Sequence, residues 1–252
     1  MSAPPVSLPD GYRLVAFATV GSTNDEAKAL ARAGAAAGTL VWAKEQSAGR
    51  GRRGRVWQSP PGNLYLSLVA RPAGPPDRAL QLGFVAALGL GAALRDLAGP
   101  ALPLCYKWPN DLLVRGRKLA GILLESETAG GGAVAYVVIG IGVNLAASPG
   151  DVEYPATSLA AEGAGEIAPA TLLEGFVRHF DCWAARWCAQ GFAPVRAAWL
   201  RRAAGLGDEI RVRLQGETLF GRFDDLDEAG ALLLKCTDGR RRIAAGDVYP
   251  AA

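Results

Sequence analysis

Residues 39–69 read TLVWAKEQSAGRGRRGRVWQSPPGNLYLSLV, and the fold turns on how this stretch is parsed. Both ends are apolar. Residues 39–43 have the makeup of a buried strand, and in 63–69 Leu64, Leu66 and Leu68 face one way, Tyr65 and Ser67 the other. Between them, residues 49–55 hold four arginines and three glycines. Such a run cannot join a core, because each buried guanidinium would need a partner. Glycines let backbone N–H groups approach a ligand closely, and arginine forks grip carboxylate or phosphate. Composition alone slightly favours a solvated basic hairpin, with an RNA- or DNA-contacting arm as a further reading. The position between two core strands argues instead for a loop laid over a ligand.

Outward from this stretch, 13–17 alternates as a strand that ends by residue 21. Ser22-Thr23-Asn24 then open an alanine-rich helix reaching Gly34 or Gly38, and Thr23 with Glu26 fits a capping box. Downstream, Leu80, Phe84, Leu88 and Leu94 predict a core helix over 78–98. Residues 104–108, 112–114 and 119–125 read as strands, with Arg115-Gly116 turning the last two into a hairpin. Residues 134–144 are apolar on both faces and so central to a sheet. Pro169 and Gly191 bracket a long amphipathic helix carrying Leu173, Phe176, Phe180, Trp183 and Trp187, and a shorter one covers 194–204.

After Gly205 the texture changes to short strands at 209–214, 218–223, 231–235 and 240–244, the spacing of a small β-barrel. The expected organisation is an α+β body over 1–204 followed by an all-β unit over 205–252.

A chain of 252 residues, half of them hydrophobic, can bury a sizeable core, and its net charge of +3 is too small to imply nucleic-acid binding by bulk electrostatics. One histidine, and four cysteines (Cys105, Cys182, Cys188, Cys236) without a CxxC pair, support neither a zinc site nor a disulfide framework. The cysteines read as buried apolar fillers in a reducing compartment. Residues 1–10 lack a basic leader, and the apolar runs 82–94 and 133–147 fall short of the ~18 residues a membrane span needs. A cytoplasmic protein that does not enter a membrane is the default expectation.

Three further segments are candidates for chemistry. In Lys107-Trp108-Pro109-Asn110-Asp111 and the following strand, Lys118 can aim an ammonium into a cavity, and the hairpin brings Asp111 within reach of it. The competing reading is a plain ion pair at a sheet edge, and without context it is the stronger one. Ser22-Thr23-Asn24 are also ordinary helix caps. Gly140-Ile141-Gly142-Val143-Asn144 puts two glycines inside a strand, which marks close approach of a ligand or backbone.

Taken together, these segments resemble the biotin–protein ligases. The resemblance rests on Ser22-Thr23-Asn24, the loop from Glu45 to Arg55, the run from Lys107 to Asp111, Arg117-Lys118-Leu119-Ala120-Gly121-Ile122-Leu123, and the run from Gly140 to Asn144, in the family's order. It implies the biotin and lipoate ligase fold, a class II synthetase-like mixed β-sheet flanked by helices, followed by an SH3-like C-terminal barrel. The implied activity is formation of biotinyl-5'-AMP from biotin and ATP and transfer of biotin to a lysine of a biotin carboxyl carrier protein.

The resemblance also implies roles. Ser22, Thr23 and Gln46 would bind the ureido ring of biotin, with Asn24 beside them. Arg50, Gly51 and Arg52 would cover the valerate carboxylate and the adenylate phosphate. Lys118 would sit at the reacting oxygens, and Asp111 would accept the incoming lysine's proton or partner the metal. Trp57, Asn110 and Asn144 would face the nucleotide. ATP with Mg²⁺ and biotin enter as substrates, and no permanently bound cofactor is implied. With the first ligand motif at Ser22 there is no room before it for a winged-helix repressor domain, so DNA binding is not expected. The implied assembly is a monomer or a homodimer.

One departure concerns the C-terminus. Family members often end with a basic residue shortly after Gly-Asp/Glu-Val-Ser, whereas this chain has Gly246-Asp247-Val248-Tyr249-Pro250. Arg240, Arg241 and Arg242 are candidates to compensate. The rival readings are a lipoate–protein ligase, an RNA-binding module built on the arginine loop, and a biotin sensor without activity. A double arginine leading into a glycine triplet, the usual mark of lipoate ligases, is missing.

Overall fold

The computed structural model describes residues 6–74, 76–129, 133–150 and 152–251. Residues 1–5, on which part of the leader reading falls, lie outside the described residues. Strands β1 (Arg13–Val20) and β2 (Thr39–Gln46) run parallel, and α1 (Thr23–Arg32) connects them. They are followed by β3 (Leu64–Ala70), α2 (Pro76–Leu80), α3 (Leu82–Ala98), β4 (Leu104–Lys107), β5 (Asp111–Val114), β6 (Arg117–Thr128) and β7 (Val134–Val143). The seven strands form one mixed sheet in the order β1-β2-β3-β7-β6-β5-β4. As its two apolar faces predict, β7 lies at the centre.

Each face of the sheet has its own cover. On one, Ala27 and Ala31 of α1 pack against Val41, Val69 and Val138. On the other, α3 and α4 (Pro169–Gln190) bury Leu66, Leu68, Ile139 and Ile141. A turn at Gln81 divides the predicted single helix into α2 and α3, and the Gln81 amide accepts from the Trp187 indole at 2.8 Å while donating to the Glu228 carbonyl at 3.1 Å. The span Arg78–Ala98 is long and apolar enough to cross a membrane, but 67% of its most apolar window is buried inside the fold. Its apolarity belongs to a core helix hemmed in on several sides.

Past α5 (Ala193–Leu200), strands β8 (Glu209–Arg213), β9 (Thr218–Leu226), β10 (Leu232–Cys236), β11 (Gly239–Ile243) and β12 (Asp247–Pro250) form a separate antiparallel sheet in the order β11-β10-β9-β8-β12. This is consistent with an SH3-like unit, but among the described residues β11 and β12 do not pair, so hydrogen bonds do not close it into the expected barrel. The last strand, β12, went unpredicted because it is short and ends in a proline. Phe223, Leu226 and Leu232 of this sheet share one apolar core with Phe84, Phe192 and Trp199. The Phe84 ring lies 5.2 Å from Phe192 and 5.4 Å from Trp199, edge to face.

Two local expectations are corrected. The N-cap of α1 is Ser22, and no side chain caps the helix, so the predicted Thr23–Glu26 box does not form. The Thr23 hydroxyl is turned into a polar network described below. The cysteines are free but none is buried: Cys105 and Cys236 are partly exposed, and Cys182 and Cys188 lie on the solvent side of α4.

Candidate active site

Strands β1 and β2 end side by side, with Val20 opposite Gln46. The chain leaves β1 directly into Ser22-Thr23-Asn24 and leaves β2 directly into the arginine loop, so both segments arrive at the same edge of the sheet. There they line a cavity of about 390 Å³. Ser22, Thr23, Asn24, Gln46, Arg50, Gly51, Arg52, Trp57, Asn110, Asp111, Lys118 and Asn144 all face it. Lys107, Tyr154, Asp247 and Tyr249, which the sequence reading did not select, line it as well.

At one end of the cavity the lining side chains Ser22, Thr23, Asn24 and Gln46 are neutral and polar. The Gln46 carbonyl oxygen accepts from the Thr23 backbone N–H at 2.8 Å and from the Thr23 hydroxyl at 3.1 Å, while the Gln46 amide donates to Ser59 at 2.9 Å. The Ser67 hydroxyl lies 2.8 Å from the Thr23 hydroxyl oxygen and 2.6 Å from the Asn24 carbonyl oxygen, with one proton to share between them. Asn24 in turn donates to Glu125 at 2.6 Å. Ser67 was legible in the sequence only as an outward position of a strand; the crossing of α1 over β3 gives it partners.

The other end is cationic. Asp111 is buried between two lysines, with Lys118 at 2.7 Å and Lys107 at 3.0 Å. Burial alone would raise its carboxyl, but Lys118 and then Lys107 more than offset this and bring it down to about 2. Aromatic rings back both ammonium groups, Tyr154 at 4.4 Å from Lys107 and Trp57 at 5.4 Å from Lys118. The pairing that sequence alone favoured does form, and it forms inside the cavity rather than at an outer edge. A β-bulge places it: Leu112 pairs with Ala120 but Leu113 with Lys118, so β6 carries one extra residue beside the lysine. The Lys118 backbone is held on both sides, donating to Pro155 O at 2.7 Å and accepting from Thr157 N at 2.9 Å.

The arginine loop forms the lid edge. It closes on itself as a narrow hairpin, with Gly51 N donating to Arg55 O at 2.7 Å and Trp57 N to Gly49 O at 2.9 Å. Its arginines are tied down. Arg50 grips Asp25 through two bonds of 2.6 Å, which holds that carboxyl well below its ordinary range. Arg53, at 3.4 Å, and Arg55 converge on buried Asp247 of β12. Arg52 reaches Asn110 at 3.3 Å, Gly246 O at 3.1 Å and Asp247 at 3.8 Å. Burial lowers the Arg52 pKa from its usual value, but a guanidinium there stays charged.

The strand glycines have a cause that their sequence did not disclose. A Cβ on Gly140 would lie 2.3 Å from Asn24, and one on Gly142 would lie 2.5 Å from the Trp57 ring. The close approach is made by the protein's own side chains, which form the cavity floor. Asn144 serves the wall, its amide donating to Thr157 O at 3.0 Å. Arg240 and Arg242, the candidates to stand in for a C-terminal cation, do not line the cavity: they are exposed on β11 and paired to Asp224 at 2.7 Å and Asp227 at 2.5 Å. Arg241 pairs with Asp238 on the same exposed strand.

Among the described residues no group of three or more His, Cys, Asp or Glu could hold a metal ion. Five lining cations (Arg50, Arg52, Arg55, Lys107, Lys118) face three lining carboxylates (Asp111, Glu153, Asp247). That balance suits an anionic ligand with several oxygens.

Comparison with known proteins identifies the family. Residues 16–144 match the biotin/lipoate A/B protein ligase family, and residues 205–249 match the biotin protein ligase C-terminal domain. The chain is 47% identical to a biotin–[acetyl-CoA-carboxylase] ligase of Paracoccus denitrificans over 238 residues, covering 92% of this chain and 98% of that protein. It is 35% identical to the bifunctional ligase/repressor of Bacillus subtilis, covering 94% of this chain and 74% of that one. A biotin protein ligase from Aquifex aeolicus, solved with biotin and ATP, superposes with a TM-score of 0.80 at 25% identity, covering 94% of this chain and 97% of that one. The chain belongs to the biotin/lipoate A/B protein ligase family, among its biotin protein ligases.

Proposed function

We propose that this protein is an ATP-dependent biotin ligase that forms biotinyl-5'-AMP and passes the biotinyl group to a lysine of a biotin carboxyl carrier protein. The observation that carries the reading is a single cavity with a neutral hydrogen-bonding end and a cationic end. Residues 1–204 supply the chemistry, and residues 205–252 close the cavity with Asp247 and Tyr249. The Paracoccus relative's name supports a carboxylase carrier as the acceptor.

A ureido ring presents one carbonyl acceptor and two N–H donors. Ser22, Thr23 and Gln46, with Asn24 beside them, have complementary groups at the neutral end. That end offers little to the dithiolane of lipoate. In the first step a carboxylate oxygen attacks the α-phosphorus of MgATP and pyrophosphate leaves, which brings two anions together. Arg50, Arg52 and Lys118 offset that charge, Gly51 lets the loop backbone close over the anions, and Lys107 adds a second ammonium beside Lys118. Mg²⁺ arrives with the nucleotide as part of the substrate. Trp57, Asn110 and Asn144 face the nucleotide.

In the second step the acceptor amine attacks the acyl carbon, AMP leaves, and the amine gives up a proton. With both oxygens occupied by lysines and a pKa of about 2, Asp111 is a poor proton acceptor. We assign it to positioning: it holds two ammonium groups at the spacing that a phosphate then takes up. The test is incubation with biotin, MgATP and a carrier domain, followed by mass spectrometry. A biotinylated lysine is expected; no adduct with biotin, or an adduct with lipoate in its place, overturns the reading.

A further inference from the structure

Glu125 stands on β6 opposite Val138, on the face of the sheet that α1 crosses. It does not line the cavity, yet the hydrogen-bond chain behind the cavity's neutral end runs out to it. Asn24 and Lys28 lie one helical turn apart on α1 and take one carboxylate oxygen each, Asn24 at 2.6 Å and Lys28 at 2.9 Å. Arg50 lies 3.8 Å from the oxygen that Asn24 uses, and Lys28 also reaches Asp25 at 2.9 Å. Burial would raise the Glu125 carboxyl, but Asn24, Lys28 and Arg50 more than offset this and hold it below its ordinary value. Glu125 is thus a carboxylate, able only to accept.

An acceptor at that place fixes the Asn24 amide. The amide nitrogen must face Glu125, so the carbonyl oxygen faces Ser67 at 2.6 Å. Beyond Ser67 lie the Thr23 hydroxyl, at 2.8 Å, and past it the Gln46 carbonyl oxygen, at 3.1 Å. The Ser67 and Thr23 hydroxyls bring two protons to these three contacts. With the Ser67 proton given to Asn24, the shorter contact, the Thr23 oxygen receives none from Ser67. Its lone pairs are left for the cavity that Thr23 lines. Turning the amide over reverses this. Asn24 then donates to Ser67, Ser67 to Thr23 and Thr23 to Gln46, and the Thr23 oxygen is filled from within.

We propose that Glu125 is a positioning residue for biotin: it holds the Asn24 amide in the orientation that leaves the Thr23 oxygen open to a ring N–H of the ureido group. This rests on the ligase reading above. A buried ligand N–H that meets an acceptor already filled loses much of its bond, and affinity falls with it.

The decisive comparison is Glu125→Gln against Glu125→Ala. Lys28 is a donor and claims the glutamine oxygen, which turns the glutamine N–H groups toward Asn24 and forces that amide over. Alanine removes the anchor without imposing the reverse orientation. The isostere is therefore expected to harm more than the truncation, the opposite of what a packing role gives. Calorimetric titration with biotin should show Kd raised about tenfold or more in Glu125→Gln and about threefold in Glu125→Ala. The KM for biotin should follow, with kcat at saturating biotin and the KM for ATP within about twofold of the parent. Ser67→Ala cuts the relay, so adding Glu125→Gln to it should change Kd by less than about twofold.

Parent-like biotin affinity in Glu125→Gln, a loss in Glu125→Ala as large or larger, or the same loss in the Ser67→Ala background overturns the proposal. So does a fall in kcat that matches the rise in KM. Thermal unfolding is followed alongside. If Glu125→Gln does not fold, parent-like affinity in Glu125→Ala overturns the proposal in its place. An unmodified chain that binds no biotin refutes the ligase reading itself.

Discussion

Gly142 has room for a hydrogen and little else, because the Trp57 ring lies where its side chain would begin. Gly142→Ala should push that ring into the cavity, lower stability by about 1–3 kcal/mol and weaken nucleotide binding. Denaturant unfolding and a nucleotide titration check both; unchanged values would mean that Trp57 moves aside freely. Arg52 joins the loop to Asn110 and to Gly246. Arg52→Gly removes charge-assisted bonds and should speed release of the adenylate by about 10- to 100-fold while some synthesis persists. Retention of labelled intermediate after rapid filtration measures it, and release no faster than in the parent counts against the role.

Asp111 gives a pH signature. Its carboxyl is lowered in the folded protein, so its stabilisation is complete above the unfolded value and is lost as pH falls toward about 2. Asp111→Asn leaves two lysines without their shared carboxylate and should cost about 3–5 kcal/mol at neutral pH. The stability gap between parent and variant should be flat from pH 8 to about 5 and shrink below about 4. A gap that instead narrows above pH 5 would contradict the pairing.

At the scale of elements, the arginine loop is held from outside itself. Three of its arginines converge on Asp247, which arrives on the final strand of the other sheet. One of them, Arg53, adopts a left-handed backbone, φ 55°, an uncommon conformation for an arginine. Asp247→Asn should loosen the hairpin and release adenylate at least about fivefold faster, with biotin affinity changed less. Equal losses in both would point to general damage. The strands and helices themselves were largely legible, since period-two and helical apolar patterns mark them. The Arg115-Gly116 turn was legible too, and both residues have the positive φ of 49° and 74° that a two-residue hairpin turn uses. The capping box was not: Thr23 has the right spacing, but tertiary partners claim its hydroxyl.

Across the whole molecule, the two sheets share one apolar core instead of meeting at a polar seam. Trp108 donates to Gly230 O at 3.0 Å, and Phe84 fills the space that a side chain at Gly230 would need. A chain ending at residue 204 should therefore lose cooperative folding as well as activity. Calorimetry would show this; a sharp transition in the shortened chain would mean the first sheet folds alone. The mistaken placement of the cysteines has the same origin in reverse, because Cys182 and Cys188 follow the helix surface and face water.

By itself the sequence determined most of the elements, the order of the cavity-lining segments and the family, because apolar periodicity and local motifs are written within a few residues of one another. Only the tertiary structure decided which charges meet: that Asp111 serves two lysines, that Asp247 holds the loop, and that Trp57 and Asn24 fill the space above the strand glycines. Those contacts join residues far apart in the chain. Coulomb and packing energies depend on distance in space, and linear spacing carries no measure of that distance until the sheet has closed.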